Sequence, residues 1–453
     1  MRSKEINSVI HTMANIADII DRSRFTPQQY LIVGLCLLFN MIDGFDITAM
    51  AVTAHQIGEE MQLGADRLGL VFSFSLAGMM LGAMFLAGLS DIIGRRTIII
   101  LSLSLVGITV ILTAYAKSLW LLIVLRFISG LGAGAMLASV ATLAAEYSPE
   151  KYRSFSVTLV TAGYPLGATM TGLVANLVMP EFGWRGVFLI GGSTTIILAI
   201  IAYLLIPESL QFLCNKRPPY ALTDANKILS RLGHPQLNEL PTLDETIEIT
   251  EADNQSALEK MLSLITPELR KSTIRLWVTV FLCICSLYFL MSWIPKMLIN
   301  LGYPAETANL AFTLFNLGGV LGVFSLGYLA SRWNLSVMIA LFAVIASILM
   351  CTFAAFASTS ADQDVLLATI FVIGFTLSGG YTGLYAVAAK IYPIQIRSTG
   401  VGWAIGLGRS GAVIGPGIAG FMIAAGFSIT ANFFAFAVPV LVGGLLAYQL
   451  RVK

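Results

Sequence analysis

Residues 30–53 read YLIVGLCLLFNMIDGFDITAMAVT, an apolar run carrying two aspartates, Asp43 and Asp46, near its middle. At about 1.5 Å per residue the run extends about 36 Å as a helix, enough to cross the roughly 30 Å hydrocarbon core of a bilayer. A charged side chain at that depth costs several kcal/mol, by estimates from about 2.5 to well over 10, so it persists where it faces a bundle interior or an aqueous path. Three residues apart, Asp43 and Asp46 share one helix face. They are either polar groups solvated near a helix end or a functional pair. Phe25, Pro27 and Gln28 mark the helix entrance, which leaves the pair deep in the span and makes it a candidate site for proton uptake.

Working outward, the 453 residues are 57% hydrophobic and only 11% charged, with a mean hydropathy of +0.83. A soluble globular chain carries roughly 25% charged residues, so this composition specifies an all-α integral membrane protein. The net charge of +2 is small and its basic residues are dispersed, which gives no electrostatic support for a nucleic-acid partner. Cys36, Cys283, Cys285 and Cys351 fall in apolar stretches and Cys214 in a polar one. They read as small core residues without a disulfide frame. Cys283 and Cys285 point to different helix faces, and His11, His55 and His234 are scattered, so no metal site is expected. No cofactor is expected either. With no nucleophile beside a base and no phosphate-binding loop, the sequence argues against an enzyme. The first apolar run starts too late and runs too long for a cleaved signal peptide and is expected to be retained. Upstream, Ile6, Val9, Ile10, Met13, Ile16, Ala17 and Ile20 recur at helical spacing, as in a helix lying on a membrane surface or one packed on the bundle.

Apolar windows place spans near 30–53, 68–89, 98–116, 119–145, 155–179 and 185–206, and again near 274–299, 306–330, 334–357, 364–389, 399–424 and 428–450. The organisation is therefore a segment 1–29, a six-helix bundle 30–206, a linker 207–273 and a second six-helix bundle 274–450. The linker is polar, carries Pro218, Pro219, Pro235, Pro241 and Pro267, and is expected to hold short helices. Placing the first terminus in the cytoplasm puts most Lys and Arg residues on that side and leaves only Arg67, Lys117, Arg185 and Lys296 outside. The bias orients both termini inward. The halves also echo each other. Tyr147-Ser148-Pro149 followed by Arg153-Ser154 after the fourth span matches Tyr392-Pro393 followed by Arg397-Ser398 after the tenth, the internal repeat of many secondary transporters.

Between the second and third spans stands Gly88-Leu89-Ser90-Asp91-Ile92-Ile93-Gly94-Arg95-Arg96. It resembles the loop signature of the major facilitator superfamily, although Ile92 occupies a position usually basic there. Glycines permit a tight turn, while Asp91 can hold and release a helix end or an arginine of the other half. Arg95 and Arg96 serve equally well as gate or as topology anchor. In the fourth span, Arg126 opens a glycine-rich run, Arg126-Phe127-Ile128-Ser129-Gly130-Leu131-Gly132-Ala133-Gly134. A buried guanidinium stays charged and demands a partner, and Asp43 or Asp46 is the natural one. Glu146 with Arg153 resembles the acid–base pairing at the cytoplasmic helix ends of the same superfamily. Arg409, within Gly406-Leu407-Gly408-Arg409-Ser410-Gly411 of the eleventh span, is a deep cation without an obvious carboxylate in its own half, poised to hold an anion or to form a structural ion pair. Tyr381 and Tyr385 share a face of the tenth span and Trp403 precedes Arg409; such aromatics serve as packing or as a ligand wall.

Taken together, Asp43-Gly44-Phe45-Asp46, the loop signature, Arg126, Glu146, Arg397 and Arg409 resemble the aromatic acid:proton symporters, bacterial inner-membrane carriers of benzoate-like acids. The resemblance spans essentially the whole chain. It implies twelve transmembrane helices and import of an aromatic carboxylate with protons. It further implies proton coupling through Asp43, Asp46 and Arg126, and substrate binding by Arg409 with Tyr381, Tyr385 and Trp403. Gating falls to Gly88, Asp91, Gly94, Arg95, Arg96, Glu146, Arg153 and Arg397. The segment Pro207-Glu208-Ser209-Leu210-Gln211-Phe212-Leu213 also resembles sugar carriers, and Gly163-Tyr164-Pro165-Leu166-Gly167 departs from the antiporter glycine–proline signature. A carrier of another small solute, such as a nicotinate-like acid, an aliphatic acid or a sugar, and a non-transporting membrane sensor remain the alternatives.

Overall fold

A computed structural model describes residues 20–21, 25–234, 236–240, 263–330, 332–357, 362–393 and 396–450. The amphipathic segment before residue 20 lies outside them, as does the middle of the linker. Among the described residues the regular structure is helical throughout.

Span 1, Pro27–Glu60, is started by a reciprocal cap: the Gln29 side chain accepts from the Thr26 backbone N–H at 2.7 Å, while Thr26 Oγ1 accepts from the Gln29 N–H at 3.4 Å. Pro27, whose missing N–H would be orphaned anyway, follows at the first helical position. Span 2 (Ala65–Ile93) loosens into a π turn over Gly82–Leu86 and a 3-10 turn over Ala87–Leu89. Gly94, at φ 103°, then reverses the chain into span 3, Arg95–Thr113. Span 4 is Leu119–Glu146. The next apolar stretch, Glu150–Leu205, is 56 residues long, about 84 Å of helix and hence two crossings. It breaks at Gly183, whose φ of 61° and ψ of −169° only glycine adopts readily, giving spans 5 and 6. Spans 7 to 12 are Arg270–Asn300, Ala305–Ala330, Leu335–Ala357, Gln363–Ile391, Arg397–Ala424 and Ile429–Tyr448. The twelve crossings of the sequence reading are present, with ends shifted by a few residues.

Packing repeats between the halves. Spans 1 and 5 pair as 7 and 11 do, 2 and 4 as 8 and 10, and 3 and 6 as 9 and 12. The first of these contacts is backbone against backbone: a Cβ on Gly44 would run into the carbonyl of Tyr164, so only glycine lets span 5 approach there. The linker helices Leu210–Lys216 and Ala221–Arg231 bury Leu210, Leu213, Ala225, Ile228 and Leu229 against the N-terminal bundle.

The bundles meet through spans 1 and 7, 2 and 11, and 5 and 8. Among the described residues, three hydrogen bonds join them between spans 5 and 8, in the half away from the chain ends. Asn176 Nδ2 donates to the Glu306 carbonyl at 3.1 Å, Asn309 Nδ2 to Asn176 Oδ1 at 2.8 Å and Thr313 Oγ1 to the Thr169 carbonyl at 3.3 Å. At that same far face Lys296 of span 7 reaches span 1 beside Gly58 and feels the charge of Glu59. Among the described residues, the polar contacts of Arg95, Arg96 and Glu146 at the opposite face stay within one bundle.

Candidate functional site

The two aspartates of span 1 have different surroundings. Asp46 Oδ1 accepts from Arg126 Nη1 at 2.7 Å and Asp46 Oδ2 accepts from the Ser129 hydroxyl. Arg126 Nη2 donates to Thr113 Oγ1 at 3.2 Å, and the guanidinium lies 5.1 Å from the centre of the Phe188 ring. Arg126 is fully buried and Asp46 2% exposed. Spans 1, 3, 4 and 6 thus enclose an ion pair whose charges are matched locally. Of the two partners open to Arg126 in the sequence, the structure selects Asp46.

Asp43 is equally buried, at 1%, yet neither of its oxygens has a hydrogen-bond partner. One turn along the helix from Asp46, it lies on the side of span 1 that meets the seam. The charge within its reach besides Asp46 is Arg409 of span 11, from the other bundle. Tyr164 of span 5, Tyr288 of span 7 and Tyr385 of span 10 feel the same arginine. Arg409 is half-buried and its Nη1 is buried without a partner. The Tyr164 hydroxyl is likewise buried, and it faces the Tyr288 phenol without a hydrogen bond of ordinary length. Five helices therefore bring one carboxyl, one guanidinium and three phenols to the seam between the bundles. An orphaned buried polar group costs about 1–3 kcal/mol, so several in one place signal a site built for something other than stability.

Tyr381 and Tyr385 share a face, as their spacing implies, and their hydroxyls hydrogen-bond each other with ring centres 5.2 Å apart. Trp403 is six residues before Arg409, about 9 Å along the helix, and its ring packs 6.3 Å from that of Trp277. Tyr164 and Tyr288 were missed by sequence reasoning; the one signal was the unusual Gly163-Tyr164-Pro165 in span 5.

At the chain-end face the loop signature is tied into its own bundle. Arg95 forms an ion pair with Glu146 and donates to Ser209 Oγ at 2.7 Å, and Ser209 Oγ donates to Glu146 Oε2 at 2.5 Å. The Arg96 N–H donates to Glu208 Oε1 at 3.1 Å and its guanidinium to the Tyr203 carbonyl at 2.6 Å. Tyr147 Oη donates to the Glu208 carbonyl at 2.6 Å. The pairing of Glu146 with Arg153 is corrected: Arg153 pairs with Asp21 and donates to the Ala145 carbonyl at 3.3 Å, while Arg95 and Ser209 already occupy the Glu146 carboxylate. Asp91 holds Arg95 at 3.4 Å rather than a group of the other half. Arg397 repeats the role of Arg153 in the second bundle, donating to the Tyr392 carbonyl at 3.4 Å. Gly88 is helical with open space beside it, so the turn depends on Gly94 alone. Glu208 and Ser209 complete this network; the sequence held them in the segment that resembles sugar carriers.

The family model of the Major Facilitator Superfamily matches residues 35–273 and 276–453. The chain belongs to that superfamily. It is 32% identical to the 4-hydroxybenzoate transporter PcaK of Acinetobacter baylyi over 91% of this chain and 89% of the relative. It is 30% identical to the 4-hydroxybenzoate transporter PcaK of Pseudomonas aeruginosa, over 95% of each chain. In fold it matches the inward open conformation of the xylose transporter XylE from E. coli with a TM-score of 0.72, at 16% identity over 93% of this chain and 96% of that one. Membership makes the chain a multi-pass membrane transporter rather than an enzyme, and makes the seam between its bundles the place to look for its substrate.

Proposed function

We propose that this protein imports an aromatic carboxylic acid of the benzoate or hydroxybenzoate class together with protons, by alternating access across the bacterial inner membrane with both termini in the cytoplasm. The observation that carries the reading is the unpaired Arg409 guanidinium facing the unpaired Asp43 carboxyl across the seam. A fixed cation with a free donor in a low-dielectric cleft binds a carboxylate strongly, and the aromatic rings of Tyr381 and Tyr385 offer a wall for the ring of the acid. Relatives at 30% and 32% identity named for 4-hydroxybenzoate support the class. The bias of basic residues supports the orientation.

In this mechanism Asp43 carries the proton. Keeping it ionised without a donor costs several kcal/mol of lost solvation, and taking up a proton removes that cost. Asp46 and Arg126 stay paired and hold span 1 in rotation, with Asp43 on the seam. With the far face open, Asp43 is protonated and the substrate settles on Arg409; the bundles then rock about the centre. When the seam opens to the cytoplasm, the higher pH there strips the proton, worth about 1.4 kcal/mol per pH unit. The Arg95, Glu146, Asp91 and Glu208 network would lock or release this face as the bundles close and part.

The test is uptake and counterflow in reconstituted vesicles with labelled benzoate, 4-hydroxybenzoate, xylose and an aliphatic acid, with and without an inward proton gradient. Aromatic acids alone should exchange, and the gradient should concentrate them. Exchange of the sugar or aliphatic acid in preference refutes the substrate class, and accumulation indifferent to the gradient refutes proton coupling.

A further inference from the structure

Beyond the carboxylate anchor, the seam holds a second kind of polar group. Arg409 Nη1 can only donate and selects an anion. A phenol both donates and accepts, which suits a hydroxyl group better than a carboxylate. Of the phenols at the seam, Tyr381 and Tyr385 satisfy one another, whereas the Tyr164 hydroxyl is buried and faces the Tyr288 phenol without a hydrogen bond of ordinary length. Tyr288 stands beside it and lines a narrow cavity between spans 1, 2 and 7, whose other walls include Thr48, Phe72, Ser75 and Met291. Tyr164 is also held firmly. Its carbonyl abuts Gly44, one residue from Asp43, so the phenol projects from a rigid helix contact instead of a loop, as a selective site requires.

We propose that Tyr164, with Tyr288 beside it, is a specificity-determining residue that pairs with a hydroxyl substituent on the aromatic ring and so favours hydroxylated acids over unsubstituted ones. The inference rests on the aromatic-acid reading and deepens it. With the carboxylate on Arg409 in the C-terminal bundle, the opposite edge of the ring points toward the N-terminal bundle, where Tyr164 waits. A ring hydroxyl completes the phenol's hydrogen bonding. An unsubstituted ring offers the phenol no such partner.

The experiment is counterflow at uniform pH, which separates binding from proton coupling, on wild type, Tyr164→Phe and Tyr288→Phe, with benzoate, 3-hydroxybenzoate and 4-hydroxybenzoate. Tyr164→Phe should raise the half-saturation concentration for at least one hydroxybenzoate about 3- to 10-fold, the loss of one neutral hydrogen bond. Benzoate should be affected several-fold less than that hydroxybenzoate, and its exchange in the same vesicles certifies that the variant is folded. Tyr288→Phe should show the same selectivity in the same direction. Parallel losses for all three acids in both variants, or no change in either, overturn the proposal and leave the tyrosines as packing. Wild type that exchanges none of the three acids refutes the aromatic-acid reading itself, and the inference falls with it.

Discussion

Asp43 and Asp46 are one helical turn apart and chemically identical, yet replacing each with asparagine should have opposite consequences. Asp46→Asn leaves Arg126, a fully buried cation, facing a neutral amide in place of a carboxylate 2.7 Å away. Removing one partner of a buried ion pair costs about 3–5 kcal/mol, chiefly because the remaining charge is stranded. That is more than a factor of 100 in the ratio of folded to unfolded protein, since each 1.4 kcal/mol is about tenfold. Asp43→Asn strands nothing, because no donor binds either oxygen, and removing an unpaired acid from a buried position should leave stability within about 1 kcal/mol of wild type or improve it. Thermal unfolding in detergent separates the two: Asp46→Asn should melt well below wild type and Asp43→Asn at or above it. Function should divide the other way. Asp43→Asn should keep substrate counterflow and lose accumulation driven by a proton gradient, while whatever Asp46→Asn survives folding should be impaired in both. If Asp46→Asn melts with wild type, or Asp43→Asn is the one that melts early, the assignment of the ion pair is wrong; full gradient-driven accumulation by Asp43→Asn would remove it as the proton carrier.

Arg409→Ala should weaken binding of aromatic carboxylates about 10- to 100-fold, the range for a charge-assisted hydrogen bond, and Arg409→Lys should recover part of that loss; half-saturation of counterflow measures both. Gly44→Ala forces a methyl group into the Tyr164 carbonyl and should cost about 1–3 kcal/mol. Gly88→Ala, with open space beside it, should be neutral to within about 0.5 kcal/mol in the same melting assay. Cysteines at positions 176 and 309, whose side chains hydrogen-bond across the bundles, should form a disulfide on oxidation that locks the far face shut. Uptake should then stop and should return on reduction.

Span positions and the two-bundle repeat were legible because hydropathy over about 20 residues is a local quantity and the bilayer sets its length. The loop signature and the candidate ionisable residues were legible because a charge in an apolar run stands out by itself. Which aspartate meets Arg126 was not. Asp43 and Asp46 differ by one turn, and their division depends on how span 1 is rotated, which the contact of Gly44 with the Tyr164 carbonyl and its neighbours fixes. The resemblance to the superfamily's acid–base pairing points Glu146 to Arg153, whereas the fold brings Arg95, about fifty residues earlier in the chain, to it. Tyr164 and Tyr288 were hidden because an aromatic residue in an apolar helix looks like packing until several helices are seen to aim their polar tips at one place.

That convergence supplies a coupling that needs no chain of contacts between proton and substrate. Asp43 and a substrate carboxylate on Arg409 would occupy the same poorly solvated seam, so an ionised Asp43 repels the anion and competes with it for the only cation there among the described residues. Protonating Asp43 removes the repulsion and frees Arg409; by linkage, the bound anion must strengthen proton binding by the same factor. At an effective dielectric of about 20, two unit charges even 8 Å apart interact by about 2 kcal/mol, roughly 30-fold in affinity, which is ample to tie the two binding events together. On the proposed mechanism Asp46 does not play this part, because Arg126 already pairs with it. The division of labour between the two aspartates therefore follows from where each counter-charge sits: Arg126 in the same bundle makes a rigid strut, and Arg409 in the opposite bundle makes a link whose strength changes with the proton, with the substrate, and with the separation of the two halves.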